Sequence, residues 1–306
     1  MKAVVYEKYG PPEVLKLKDI EKPKPKDEEI LVKIYAATVT SGDVRLRKSD
    51  FPPLFWLPAR LIFGLFKPKK RILGHELAGI VEEIGKRVTE FNVGDSVFGT
   101  TTMLKTGSYA EYICIPQKWN NGVIELKPEN LSYQQAAALP VGAMTAMYLL
   151  EKANLKSGQN VLVYGASGSV GSYAVQIANQ KGSRVKGVCS TSNFKMVKLL
   201  GAESLIDYKK DDYSKGNEKF DIIFDAVGKT SKSKAKKVLK TGGSFVSVKM
   251  ITKEKDEHLK LIKDMAEKGK LKPFIDKSFK LGDMIKAHEY VDKGRKRGNV
   301  IIDVLK

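Results

Sequence analysis

The sequence predicts an α/β protein of two domains, a β-rich first third followed by a doubly wound parallel sheet. Three observations lead there. Before Pro128, β-branched and aromatic runs are broken by Gly, Pro and Asp turns. After it, short apolar strands alternate with helical stretches, the order of a parallel sheet with crossover helices. And 306 residues, 42% hydrophobic and 29% charged, are enough chain for two cores.

The strands expected first are KAVVYE, ILVKIYAATV, LAGIVEEIG and YAEYICI, with Gly94-Asp95 turning into a strand at Val97-Phe98. LSYQQAAALPVGAMTAMYLLEKA, rich in Ala, Leu and Met, reads as helix. NVLVYGA is a buried strand, SVGSYAVQIANQKG a helix, RVKGVCS a strand and NFKMVKLLG a helix. SLIDY, FDIIFDAVG and GGSFVSV continue the sheet, with helical SKSKAKKVLK between the last two. The tail adds a helix and a β-branched strand, and composition does not say where they pack. No repeat of 20 to 50 residues is present.

The net charge of +19 favours encounter with anions, but its lysines are scattered along the whole chain and read mainly as solvated faces. Two cysteines, Cys114 and Cys189, are too few for a disulfide framework and suit a reducing, cytoplasmic setting. The N-terminus carries no signal-peptide core. The most apolar segment, Leu54 to Phe66, is interrupted by Pro58, Arg60 and Gly64 and is shorter than the about 20 residues that span a bilayer. It is expected as a buried or pocket-lining segment or an apolar cap. An interfacial anchor is the minor reading, and no membrane partner is expected.

YGASGSVG is the most informative stretch. Gly165, Gly168 and Gly171 follow a strand and open a helix. That arrangement clears side chains from a pyrophosphate and offers it a helix N-terminus. The expected cradle is Gly165, Ser167, Gly168, Ser169, Val170 and Gly171. An NAD site places Asp or Glu at the end of the next strand. Here that strand ends in Ser190 and Thr191, no acidic residue lies between Gly165 and Ala202, and Lys195 follows. Hydroxyls and a lysine suit a 2′-phosphate, so the reading is NADPH; the alternative for Lys195 is an exposed helical lysine.

Upstream stands GHELAG, with His75 beside Glu76. Together with GHELAGIVEEIGKRVTEFNVGDSVFG, the segments MKAVVYEKYGPPEVLKL, LVKIYAATVTSGD, GSYAEY, AAALPVGAMTA, GASGSVG, GAESLIDY, FDAVG and GNVIIDV follow one another as in the medium-chain dehydrogenase/reductase superfamily. The chain resembles its zinc-independent quinone-oxidoreductase branch nearly end to end. The resemblance implies an N-terminal GroES-like β-rich catalytic domain over 1–125, a doubly wound Rossmann NADP-binding domain over 126–265, and a segment 266–306 returning to the first domain. It also implies an active site in the cleft between domains and a homodimer.

Zinc-dependent members bind the metal through two cysteines and the histidine of Gly-His-Glu, and carry a further lobe of four cysteines. VTSGD and AAALPVGAMTA have no cysteine, so no metal is expected. His75 is left facing substrate or satisfied in the core. The resemblance places Thr40 and Ser41 as donors to the substrate oxygen, though the family's Asn-Pro is absent here. Asp43 orders the site or merely caps a turn; Thr145 lies near the nicotinamide or is an ordinary helical threonine. Tyr208 lines the adenine-phosphate end, and Val227 and Gly228, with Asp225, form the loop under the cofactor. Phe51, Phe55 and Trp56 are expected either to stack a flat substrate or to form a core plug or dimer contact.

The expected activity is hydride transfer from NADPH to a quinone or α,β-unsaturated carbonyl, a small-molecule substrate. The alternatives are alcohol oxidation, an NADPH-sensing role, and a secondary role in RNA binding, for which no motif with interleaved aromatics exists.

Overall fold

A computed structural model describes residues 1–305. In chain order these form β1 (Lys2–Val5), β2 (Lys16–Asp19), β3 (Glu29–Thr38), α1 (Ser41–Lys48), α2 (Pro53–Phe63), β4 (Glu76–Ile84), β5 (Ser96–Thr100), β6 (Tyr112–Pro116) and β7 (Ile124–Leu126). There follow α3 (Tyr133–Ala137), α4 (Pro140–Lys152), β8 (Asn160–Tyr164), α5 (Ser169–Gln180), β9 (Arg184–Cys189), α6 (Phe194–Leu199), β10 (Ser204–Asp207) and β11 (Phe220–Asp225). Last come α7 (Lys232–Lys236), β12 (Leu239–Ser247), α8 (Asp256–Glu267), β13 (Ile275–Lys280), α9 (Met284–Asp292) and β14 (Asn299–Asp303).

The chain divides into two compact units, 1–140 with 275–306, and 141–274. In the first, the sheet order β13-β14-β3-β4-β5-β7 is built round the ten-residue β3, with β6 also on β3. Alternation along β3 and β4 sends Ile30, Val32, Ile34, Leu77 and Val81 into one core with Val97, Ile113 and Ile115. The tail's place, unreadable from composition, is set by pairing: β14 lies antiparallel to β3, Ile301 opposite Thr38. Its Val300 and Ile302 join Val4, Tyr6, Leu73, Tyr109 and the α9 residues Met284 and Ala287 in a second core.

The first boundary falls at 140 rather than 125 because α3 packs on β3, β4 and β14. The helix expected across 131–153 is two helices. Pro140 has no amide hydrogen to continue α3 and instead starts α4, where that hydrogen is not needed.

In the second unit, β10-β9-β8-β11-β12 are all parallel. Numbered by sequence, that order is 3-2-1-4-5, and the chain reverses direction across the sheet at β8. In such sheets ligands sit beyond the carboxyl ends of the strands at this reversal. β8 ends at Tyr164, immediately before the glycine loop.

The segment 51–66 departs from expectation. It folds as α2 through Pro58, and none of that helix's residues is buried. The buried-plug reading fails because the helix has no apolar partner on most of its surface.

Candidate active site

In the first unit the site is organised by a fully buried carboxylate, Asp43. Thr40 caps α1 by a reciprocal pair: its hydroxyl accepts from the Asp43 amide at 3.0 Å, while its own amide donates to Asp43 Oδ2 at 2.9 Å. The Thr40 hydroxyl also donates to Oδ2 at 2.6 Å, and the Gly74 amide to Oδ1 at 3.0 Å. Finally, His75 Nδ1 lies 2.7 Å from Oδ1. Burial alone would raise the Asp43 carboxyl, but His75 and the Thr40 bonds overcome it and hold the group well below the carboxylate range. An ionised carboxylate only accepts, so Nδ1 carries the proton and Nε2 is the ring nitrogen left for other work. The His75 side chain is 21% exposed, and Gly42 leaves its ring room: a side-chain carbon there would sit 3.8 Å from His75 Cε1.

This corrects the role expected for Thr40, whose single hydroxyl proton is already committed to Asp43. Ser41, exposed in the first turn of α1, keeps the donor role open. Asp43 is more than a turn residue, since it also fixes the imidazole. The expected aromatic wall is not enclosed. Phe55 and Trp56 are 61% and 43% exposed, and Phe51 stacks on Phe63 with centroids 5.9 Å apart.

Nothing in the sequence pointed to His288. It is fully buried on α9, edge-on to Tyr109 at 5.7 Å. Burial pulls its imidazole down to about 4 from 6.5, against the opposing pull of Asp43. The unfolded chain therefore takes up a proton near pH 6.5 that the folded one refuses until about pH 4. Stability from this group is complete above 6.5 and is lost as pH falls toward 4, by about 3 kcal/mol in all. Urea unfolding at pH 7.5 and pH 5 should show a smaller acid loss for His288→Phe than for wild type; equal losses would refute the assignment.

Among the described residues no three His, Cys, Asp or Glu side chains are gathered where one ion could reach them. Tetrahedral zinc takes three or four such donors, whereas His75 Nδ1 is spent on Asp43, and Glu76, buried, accepts the Thr38 hydroxyl. Burial pushes the Cys114 and Cys189 thiols up to about 11 and about 12, away from the thiolate a metal needs. The donor set does not fit a catalytic zinc.

In the second unit the three glycines have separate jobs. Gly165 turns with φ +82°, and a side chain there would strike Val227 at 2.5 Å. A side-chain carbon at Gly171 would lie 2.1 Å from the Gly165 carbonyl oxygen, so only glycine lets α5 close on the loop. At Gly168, the N-cap of α5, the nearest atom would be 3.5 Å away. Space is thus kept clear where the helix begins, the cradle a pyrophosphate requires. Ser167 is tied to the end of β9 by Asn193, whose Nδ2 donates to Ser167 Oγ at 3.0 Å and to Ser190 Oγ at 3.1 Å. Ser169 and Val170 form the first turn of α5. Gly142 on α4 abuts Ser169 and Tyr173 of α5, and Thr145 follows it by three residues on the same helix.

An acidic side chain does reach the end of β9, from the neighbouring strand: Asp207 ends β10, opposite Cys189. Its carboxylate accepts the Thr191 amide at 3.1 Å and the Thr191 hydroxyl, and Oδ1 takes the Lys209 amide at 2.9 Å. Those bonds, that of the Thr191 hydroxyl foremost, hold it below the usual range. Thr191 therefore positions Asp207 and has no hydroxyl proton left for a phosphate. Ser190 remains half-exposed, and Lys195 and Tyr208 are exposed. Asp225 turns its carboxylate to the amides of Val227, Gly228, Lys229 and Thr230, which shapes the loop that covers Gly165.

The alcohol dehydrogenase GroES-like domain matches residues 26–128, and zinc-binding dehydrogenase domains match 169–272 and 248–302. The chain is 34% identical to the 2-methylene-furan-3-one reductase of Solanum lycopersicum, over 99% of its own length and 79% of that protein's. It is 30% identical to the chloroplastic NADPH-dependent alkenal/one oxidoreductase of Arabidopsis thaliana, with the same coverage. The quinone oxidoreductase structure from Coxiella burnetii superposes with a TM-score of 0.89 at 30% identity, covering 100% of this chain and 99% of that one. With these matches on top of the glycine cradle and the parallel sheet, the chain belongs to the medium-chain dehydrogenase/reductase superfamily and is an oxidoreductase that uses a nicotinamide coenzyme.

Proposed function

We propose that this protein is a zinc-independent, NADPH-dependent reductase of quinones or α,β-unsaturated carbonyls. The observation that carries the reading is the Asp43–His75 pair, a buried carboxylate holding an imidazole whose second nitrogen is uncommitted. When bound, the reduced nicotinamide supplies a hydride to an electron-poor carbon of the substrate. Negative charge then develops on the substrate oxygen. The Nε2–H of a protonated His75 donates to that oxygen and delivers the proton, while Asp43 stabilises the imidazolium and fixes its orientation. Ser41 is the second donor. The glycine loop and the start of α5 hold the pyrophosphate, and Thr145, one turn along α4 from Gly142, orients the nicotinamide.

The choice of NADPH rests on Ser190 and Lys195 at the ribose end. The nearby carboxylate, Asp207, has its oxygens engaged by Thr191 and Lys209. The names of two relatives, a furanone reductase and an NADPH-dependent alkenal/one oxidoreductase, fit the substrate class.

The test follows absorbance at 340 nm with chelator-treated protein, NADPH or NADH, and a 1,4-quinone or an enone. NADPH is expected to be consumed faster, with Lys195→Glu raising its KM at least tenfold by about 1.4 kcal/mol of lost binding. His75→Gln is expected to lower kcat about 100-fold at unchanged NADPH affinity. Equal use of NADH, or loss of turnover on chelation, would overturn the reading.

A further inference from the structure

The helix α2 is the one part of the first unit whose composition and exposure conflict. Its eleven residues, PLFWLPARLIF, contain a single charge and no acid. Apolar helices of globular proteins are buried, and this one is not. At 100° per residue, Leu54, Phe55, Leu57, Pro58, Leu61 and Ile62 share one face, and all are exposed, Leu54 by 81%. The opposite face carries Trp56, Ala59, Arg60 and Phe63.

That inner face is what seats the helix. Arg60 stacks its guanidinium over Tyr9 at 4.0 Å, and the Tyr9 hydroxyl donates to the Phe63 and Gly64 carbonyls at 3.0 and 2.9 Å. Phe51 stacks on Phe63. The only charge of α2 is thus turned toward the protein, and the outward face holds no polar side chain. Gly64, at φ +121°, then folds the chain back sharply; a side chain there would collide with the Lys67 carbonyl at 2.0 Å. The turn sets exposed Leu65 and Phe66, the latter 88% exposed, beside the helix end.

Directly after come Lys67, Lys69, Lys70 and Arg71. From Phe51 to Arg71 there is no acidic residue at all, in a chain whose net charge is +19. The net positive charge around the face favours an anionic surface over a second copy of this chain, which carries the same charges. Arg71 pairs with Glu7 at 2.6 Å, Lys69 and Lys70 donate to the Leu61 and Thr101 carbonyls, and Lys67 is exposed. An apolar face with aromatic side chains beside a mainly basic stretch matches the interfacial layer of an anionic membrane, where rings and aliphatic chains sink to the acyl boundary and lysines meet headgroups. No helix among the described residues is long and apolar enough to cross a membrane. At 1.5 Å per residue α2 is only about 16 Å long, so it lies in the surface instead.

We propose that α2, with Phe66 and the basic stretch that follows, is a docking surface for an anionic lipid bilayer. The occupant is the bilayer itself, and the inference is independent of which substrate is reduced.

Flotation of the full-length protein with vesicles tests it. Vesicles of phosphatidylcholine mixed equally with phosphatidylglycerol are expected to bind at least ten times more tightly than pure phosphatidylcholine, and added salt should weaken the binding. In a Trp56→Phe, Trp119→Phe background, a Leu54→Trp variant should shift its emission to the blue on binding. Leu57→Asp with Leu61→Asp should lose vesicle binding at least tenfold, with NADPH affinity and Tm unchanged, and Lys67→Glu should lose part of it. Three results would overturn the proposal. One is no binding to either vesicle. Another is binding that the double aspartate variant leaves intact, which assigns it to the general positive charge. The third is a wild-type dimer in gel filtration that the same variant dissociates, with no vesicle binding, which makes a second copy the occupant.

Discussion

Replacing Asp43 with alanine is expected to cost about 3 kcal/mol of stability or more and to remove nearly all turnover. The carboxylate is fully buried and accepts from the Thr40 amide, the Thr40 hydroxyl and the Gly74 amide while pairing with His75. Alanine leaves the amides of Thr40 and Gly74 without their acceptor, the latter buried, at about 1–3 kcal/mol each. Asp43→Asn separates the two roles. An amide keeps the shape, but its one oxygen accepts either from Thr40 or from Gly74, its NH2 takes the other place, and it cannot stabilise an imidazolium. Its expected stability loss is smaller, about 1–2 kcal/mol, while kcat should fall about as far as in His75→Gln. Urea unfolding and turnover measured on the same samples would decide. An asparagine variant with wild-type kcat would make the dyad purely structural.

The fold was largely legible in the residues because its signals are local. Strand-helix alternation after Pro128 and the period of two along ILVKIYAATV report directly which face is buried. The glycine loop was legible for the same reason: a turn, a cleared approach and a close helix each demand glycine within seven residues. What escaped depends on residues far apart in the chain. The contact of Asp43 with His75 spans 32 positions, and neither motif announced that the two side chains pair. Asp207 reaches Thr191 only because β10 runs beside β9. His288 enters the site region because β14 and α9 return to the first unit. For the segment 51–66, apolar composition alone does not decide between a buried plug and an exposed face. Apolar side chains favour leaving water, but a short helix held by Arg60 and Tyr9 can keep them in it.

The second large effect is expected at Gly171, with Gly168 as its internal control. A methyl group at Gly171 would lie 2.1 Å from the Gly165 carbonyl oxygen and 3.0 Å from Ala166 Cα, both backbone atoms that cannot rotate aside. Either α5 moves out or the loop deforms. Overpacking of this kind costs about 1–3 kcal/mol, and it moves the helix start proposed to hold the pyrophosphate. Gly171→Ala should therefore lower Tm by several degrees and NADPH affinity by about 100-fold together. At Gly168 the added carbon would meet only the Gly165 carbonyl oxygen, at 3.5 Å, an ordinary contact. The backbone there, φ −79° and ψ 176°, suits alanine. Gly168→Ala should leave stability within about 1 kcal/mol of wild type, the cost of a poorer N-cap, yet still weaken NADPH at least tenfold, because its methyl occupies the space the dinucleotide would take. Calorimetric titration with NADPH alongside thermal melts separates the two. If Gly168→Ala binds NADPH as tightly as wild type, the cleared space is not the cofactor cradle, and the glycines serve only to pack helix on loop.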